Sequence, residues 1–150
     1  MRFPLEVVET VRRAWPDDKP LFYRLSAVDG AGGIWNLEDS VALSHELKAR
    51  GVDMIDCSSG GIPGDSDMPP LPRVPGYQVP FAARIKQEVA IPTIAVGLIT
   101  DAAQAEAILQ EEKADIAALA RELLWHRHSD WPLHAARDLG VDPFALQNRE

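Results

Sequence analysis

The residues best placed to do chemistry stand where two late apolar runs turn into helices. Ile91-Pro-Thr-Ile-Ala-Val-Gly97 is β-favouring and stops at Gly97, after which Thr100 or Asp101 can open a helix. Ala114-Asp-Ile-Ala-Ala-Leu119 behaves alike and runs through Ala120 into Arg121-Glu-Leu-Leu124. A strand-to-helix turn of this kind brings backbone N–H groups and a helix N-terminus to one point, where anions bind. Eight-stranded (β/α) barrels commonly build a phosphate site from the loops after their last two strands, and these are the last two strands the pattern offers. The pair therefore reads as a phosphate-binding corner of a barrel whose other strands are missing.

Other chemistry-bearing residues are less organised. Taken alone, Arg24, inside a β-favouring run, reads as a buried arginine paired with a carboxylate. His126, His128 and His134 lack an i,i+4 pair and a flanking ligand set, so a solvated or packing role is expected and no metal site is assigned. Cys57, at a strand end, is expected to act as a small buried hydrophobe. Ser58 and Ser59 have no base nearby in sequence to make either a nucleophile.

The elements that must position these residues can be traced along 150 residues, 46% of them hydrophobic, enough for a core of ordinary size. A closed eight-stranded barrel typically needs about 250. Pro4, Leu5, Val8, Val11 and Trp15 mark an opening helix, and residues 21–27 a strand followed by the turn Gly30-Ala-Gly-Gly33. Asn36 can cap a helix carrying Leu37, Val41 and Leu47 that Gly51 ends, and residues 52–57 form the next strand. The glycine- and proline-rich stretch 58–78 is a long loop of the kind that is usually functional. A helix through Pro80, Phe81, Ile85 and Val89 follows, then the strand to Gly97, a helix with Ala105, Ile108 and Leu109, and a fourth strand over 115–119. Arg121 begins a short helix, and Asp130-Trp-Pro another that Gly140 terminates. Each strand is followed by a helix long enough for parallel pairing, which makes the chain α/β; an open three-layer sheet is the alternative to half a barrel.

Composition narrows the function. A formal charge of −8 excludes a nucleic-acid partner, which needs a basic footprint. No segment is apolar for the length of a membrane span, and Met1-Arg-Phe-Pro-Leu-Glu lacks a signal peptide's apolar stretch. With a single cysteine, a reducing, cytoplasmic setting is expected.

Five segments together carry a resemblance: Arg24-Leu-Ser-Ala27, Gly51-Val-Asp-Met-Ile-Asp-Cys-Ser-Ser-Gly-Gly61, Pro75-Gly-Tyr-Gln-Val-Pro-Phe-Ala82, Ala95-Val-Gly-Leu-Ile-Thr100 and residues 114–124. In this order and spacing they resemble the old yellow enzyme family, in its bacterial NADPH dehydrogenase (ene-reductase) branch, over about residues 1–140. The resemblance implies the C-terminal half of an FMN-binding TIM (β/α)8 barrel, four parallel strands with flanking helices, as a single partial domain over residues 1–150 that starts mid-domain. It implies FMN as cofactor, NADPH or NADH as reductant and an activated alkene as substrate. Arg24 matches the arginine at the flavin's pyrimidine edge, Gly97 the position whose N–H meets the FMN phosphate and where a side chain would crowd it, and Arg121 the phosphate arginine, whose planar guanidinium suits a bidentate contact.

The chain also departs from the family pattern. Ala120 stands where a glycine usually precedes the phosphate arginine. The connector 125–130 is about two residues longer than usual, and the tail 141–150 lacks the segment some relatives use to complete a neighbour's site. The family's His-His or His-Asn pair belongs to the first half of the barrel, and none of the four histidines matches it, so no catalytic residue is assigned. Two readings compete: a non-catalytic remnant that homodimerises through an exposed sheet face, two half-barrels closing one pseudo-barrel, and another barrel enzyme handling a phosphorylated metabolite.

Overall fold

The computed structural model describes residues 1–29, 34–59, 71, 73–119 and 130–142. Within them the chain alternates α1 (Arg2–Ala14), β1 (Phe22–Ser26), α2 (Leu37–Ala49), β2 (Met54–Ser58), α3 (Val79–Val89), β3 (Thr93–Ala95), α4 (Ala102–Gln110), β4 (Ile116–Ala117) and α5 (Trp131–Asp138). The strands form one parallel sheet in the order β1-β2-β3-β4, each beside its predecessor in sequence. Parallel neighbours in sequence order, each joined through a helix, are the wiring of a barrel segment, as the sequence implied.

Strand alternation separates two faces. Leu25, Ile55, Cys57, Thr93 and Ala95 are buried, and all but Thr93 share a core with Val41, Leu47, Val79, Ala82, Ile85 and Val89 of α2 and α3. The alternate residues Phe22, Arg24, Met54, Asp56, Ile94 and Ile116 lie on the other face. There Phe22 is 50% exposed and Ile116 40% exposed. Parallel sheets are normally covered on both faces, so this second face is the one a barrel would enclose.

Local chemistry explains the boundaries. Asn36 caps α2 reciprocally: its side chain accepts from the Asp39 N–H, and Asp39 accepts from the Asn36 N–H. Trp35 Nε1 donates to Ser40 Oγ, which donates to the Ala27 carbonyl, tying the start of α2 to the end of β1. Lys48 Nζ donates to the Val89 and Ala90 carbonyls at 2.9 and 2.8 Å, satisfying the end of α3. Asp53 and Asp115 recur as a device: each carboxylate accepts from the first N–H of the neighbouring strand region, Leu21 and Thr93 respectively.

β3 and β4 are shorter than the apolar runs suggest. Pro92 has no N–H for the ladder, and Gly97 at φ +111° leaves the extended region. Backbone bonding still extends to either side of β4, from the Asp115 N–H to the Thr93 carbonyl and from the Ala118 N–H to the Ala95 carbonyl. The turn 30–33, most of the long loop, and the helix expected from Arg121 lie outside the described residues.

Candidate functional site

Because Leu25 points into the core, Arg24 beside it projects from the opposite, uncovered face of β1. Its register partner on β2 is Asp56, and Arg24 Nη1 donates to Asp56 Oδ2 at 3.0 Å. The expected carboxylate partner is thus present, but the burial is not: the Arg24 side chain is 64% exposed and that of Asp56 16%. The aspartate lies down in the sheet and the guanidinium stands above it, with donors still facing outward. Asp56 Oδ1 is buried and accepts no hydrogen bond among the described residues. Sequence reasoning missed Asp56; the available signal was an acidic residue in mid-strand, where a parallel strand is ordinarily apolar.

At the carboxyl ends of the strands three loops are tied together. Ser59 Oγ donates to the Val28 carbonyl at 2.5 Å and accepts from the Val28 N–H, joining the ends of β1 and β2. Gln78 Nε2 donates to the Ser59 carbonyl at 2.5 Å, and the Gly76 N–H donates to the Gly97 carbonyl at 2.8 Å. The segment Pro75-Gly-Tyr-Gln78 therefore bridges the exits of β2 and β3.

Gly97 needs to be glycine for two reasons. Its φ is +111°, and a Cβ there would lie 3.0 Å from Gln78 Oε1 and 3.1 Å from both Gln78 Cβ and Tyr77 Cε1. The crowding expected of a side chain thus falls first on Gln78 and Tyr77. Leu98 follows at φ +52°, so two consecutive residues turn the chain sharply just ahead of α4. The N-terminus of α4 is already partly satisfied: Asp101 accepts from the Gln104 N–H and Gln104 Oε1 from the Thr100 N–H.

Ala120 and Arg121 lie outside the described residues, as do His126 and His128. His134 Nε2 is 2.8 Å from Asp130 Oδ2, one helical turn away. Cys57 is fully buried, as expected, and burial, reinforced by the Asp56 charge, pushes its thiol up to about 12, which leaves it protonated and unreactive near neutrality.

Comparison with known proteins places the chain in a family. Residues 1–140 match the model of the NADH:flavin oxidoreductase / NADH oxidase family. The chain belongs to that family. It is 47% identical over 137 residues to an NADPH dehydrogenase of Halalkalibacterium halodurans, covering 91% of this chain and 38% of the relative. Proteins of the same name from Geobacillus sp. (strain WCH70) and Geobacillus thermodenitrificans are 47% and 46% identical, over 93% and 91% of this chain. The chain spans about two-fifths of the length of these relatives. Its four parallel strands with flanking helices fit part of a family barrel.

Proposed function

We propose that this chain supplies the flavin-phosphate end of an FMN-dependent NAD(P)H oxidoreductase, as one partial domain over residues 1–150. FMN with NAD(P)H as reductant is the pairing the family match and the relatives' names support. The residues present fit it. A guanidinium on the side of the sheet that a barrel would enclose would stabilise negative charge at the flavin's pyrimidine edge, and a glycine turn at the strand ends would admit a phosphate. When bound, FMN would accept hydride from the nicotinamide and pass it on. Arg24, held by Asp56, would orient the ring; Gly97 would offer its backbone N–H; Arg121 would bind the phosphate, with Ala120 preceding it in sequence. The substrate class is an activated alkene and the setting cytoplasmic. Proton delivery would come from strands beyond these four.

Arg24 carries this reading: an arginine anchored to a partly buried aspartate, yet 64% exposed on the face a barrel would enclose, is poised for a ligand. The test joins this chain behind the preceding portion of the Geobacillus thermodenitrificans relative and measures flavin content and NADPH-driven reduction of a cyclic enone. A yellow, active protein is expected; a folded but colourless one, also after Ala120→Gly, overturns the assignment. The exposure of Phe22 and Ile116 favours a second reading, in which two copies close face to face, and the mass of the 150-residue chain in solution decides it.

A further inference from the structure

We propose that Gln78 is the positioning residue of the Gly97 turn: it fixes where the end of β3 stands relative to the end of β2, and so sets the phosphate corner. The proposal rests on the flavin reading above. Gln78 is only 4% exposed, and both donors of its amide are used, to the Ser59 carbonyl at 2.5 Å and to Tyr77 Oη at 3.0 Å. These acceptors fix the orientation of the amide, because a carbonyl turned toward Ser59 would face another carbonyl. Oε1 is thereby directed to Gly97, 3.0 Å from where a Cβ would stand, with Gln78 Cβ at 3.1 Å. One side chain thus grips the β2 exit through a hydrogen bond and fills the space at the β3 exit that a side chain at Gly97 would need. Through Ser59 the same linkage reaches Val28 at the end of β1.

Packing alone does not require an amide here. A methionine or leucine would fill much the same space without burying polar atoms, and a buried polar group is retained at a cost unless its bonds specify a geometry. The geometry specified is a left-handed turn at two successive residues, Gly97 and Leu98, which no regular element dictates. The Gly76 N–H to Gly97 carbonyl bond, 2.8 Å, closes the same turn from the other side, two residues before Gln78.

The test uses the full 150-residue chain. Amide resonances and hydrogen exchange are followed in the wild type and in Gln78→Met, Gln78→Glu and Ser59→Ala, first without ligand and then with inorganic phosphate, FMN and riboflavin. Gln78→Met should move the Gly97 amide and speed exchange at Gly76 by about tenfold, the loss of one hydrogen bond's worth of protection. Its melting temperature should stay within about 4 °C of wild type. Gln78→Glu, which keeps the shape but cannot donate when ionised, should move the same two amides and covers the case in which methionine does not fold. Ser59→Ala keeps the carbonyl that Gln78 uses, and should shift Val28 while leaving Gly97 in place. Unchanged Gly97 and Gly76 amides in both Gln78 variants, or an equal shift of Gly97 in Ser59→Ala, would overturn the proposal. Phosphate and FMN, but not riboflavin, should shift the wild-type Gly97 and Leu98 amides, and Gln78→Met should need higher ligand concentrations. Wild-type amides indifferent to both phosphates would count against the flavin reading, while the ligand-free comparison still decides the role of Gln78.

Discussion

Replacing Gly97 by alanine should damage this chain more than the same change at Gly140, another described turn glycine. At φ +111° an L-residue adopts a sparsely populated backbone region, at about 1–3 kcal/mol. The new methyl would also lie 3.0–3.1 Å from the buried Gln78 and from the Tyr77 ring, and overpacking of this kind costs about 1–3 kcal/mol. One small backbone movement relieves part of both, so a combined cost of about 3 kcal/mol is expected. Gly140 supplies the internal standard: its φ is +70° and nothing lies within 4 Å of where a methyl would stand, so Gly140→Ala meets conformational strain alone, about 1 kcal/mol. For a chain of this size, about 3 kcal/mol lowers the melting temperature by roughly 6–12 °C, and about 1 kcal/mol by roughly 2–4 °C. Calorimetry on the two variants at one pH makes the comparison. Equal losses would mean that the 75–78 segment does not brace the Gly97 turn.

Lys48→Met should cost about 1 kcal/mol by leaving the Val89 and Ala90 carbonyls without their donor, seen as a lower urea midpoint at unchanged slope. No change in midpoint would mean that water replaces the ammonium freely. Cys57 predicts an alkaline weakness. Burial, with the Asp56 charge behind it, raises the thiol from 9.0 to about 12, so the unfolded chain releases its proton before the folded one does. The contribution is complete below pH 9.0 and is lost as pH rises through about 12, a loss on the order of 4 kcal/mol at about 1.4 kcal/mol per pH unit. Burial also raises Tyr23, which acts in the same direction. Urea midpoints from pH 8 to 11 should therefore fall more steeply in the wild type than in Cys57→Ala; parallel curves would remove the thiol from the account.

Much of the fold was legible because it rests on local chemistry. The Asn36 cap, the Asp101 cap and the helix-ending glycines at positions 51 and 140 are written in short stretches of sequence, whereas Arg24, read as buried, stands on the exposed face. The four strands and their parallel order follow from apolar runs separated by helices. What sequence could not supply was pairing across distance. That Arg24 lies opposite Asp56 depends on the register of β1 with β2, 32 residues apart, and a shift of one residue would have sent Asp56 into the core. The role of Gln78 was hidden for the same reason: within Pro75-Gly-Tyr-Gln78 nothing announces that its amide meets Ser59, 19 residues earlier, or that it occupies the space a side chain at Gly97 would need. Family resemblance pointed to Gly97 and Arg24, whereas only the packed strand ends revealed what holds them.

The central claim, that this chain carries the phosphate end of a flavin site, is tested most directly by comparing FMN with riboflavin. In the joined protein described above, dissociation constants for both ligands are measured for the wild type, Arg121→Ala and Arg24→Ala. Loss of a charge-assisted phosphate bond, about 1.5–3 kcal/mol, should weaken FMN by roughly 10- to 100-fold in Arg121→Ala and leave riboflavin nearly unchanged. Arg24→Ala should weaken both ligands alike, because the ring is common to them. Equal losses of FMN and riboflavin in Arg121→Ala would contradict the account.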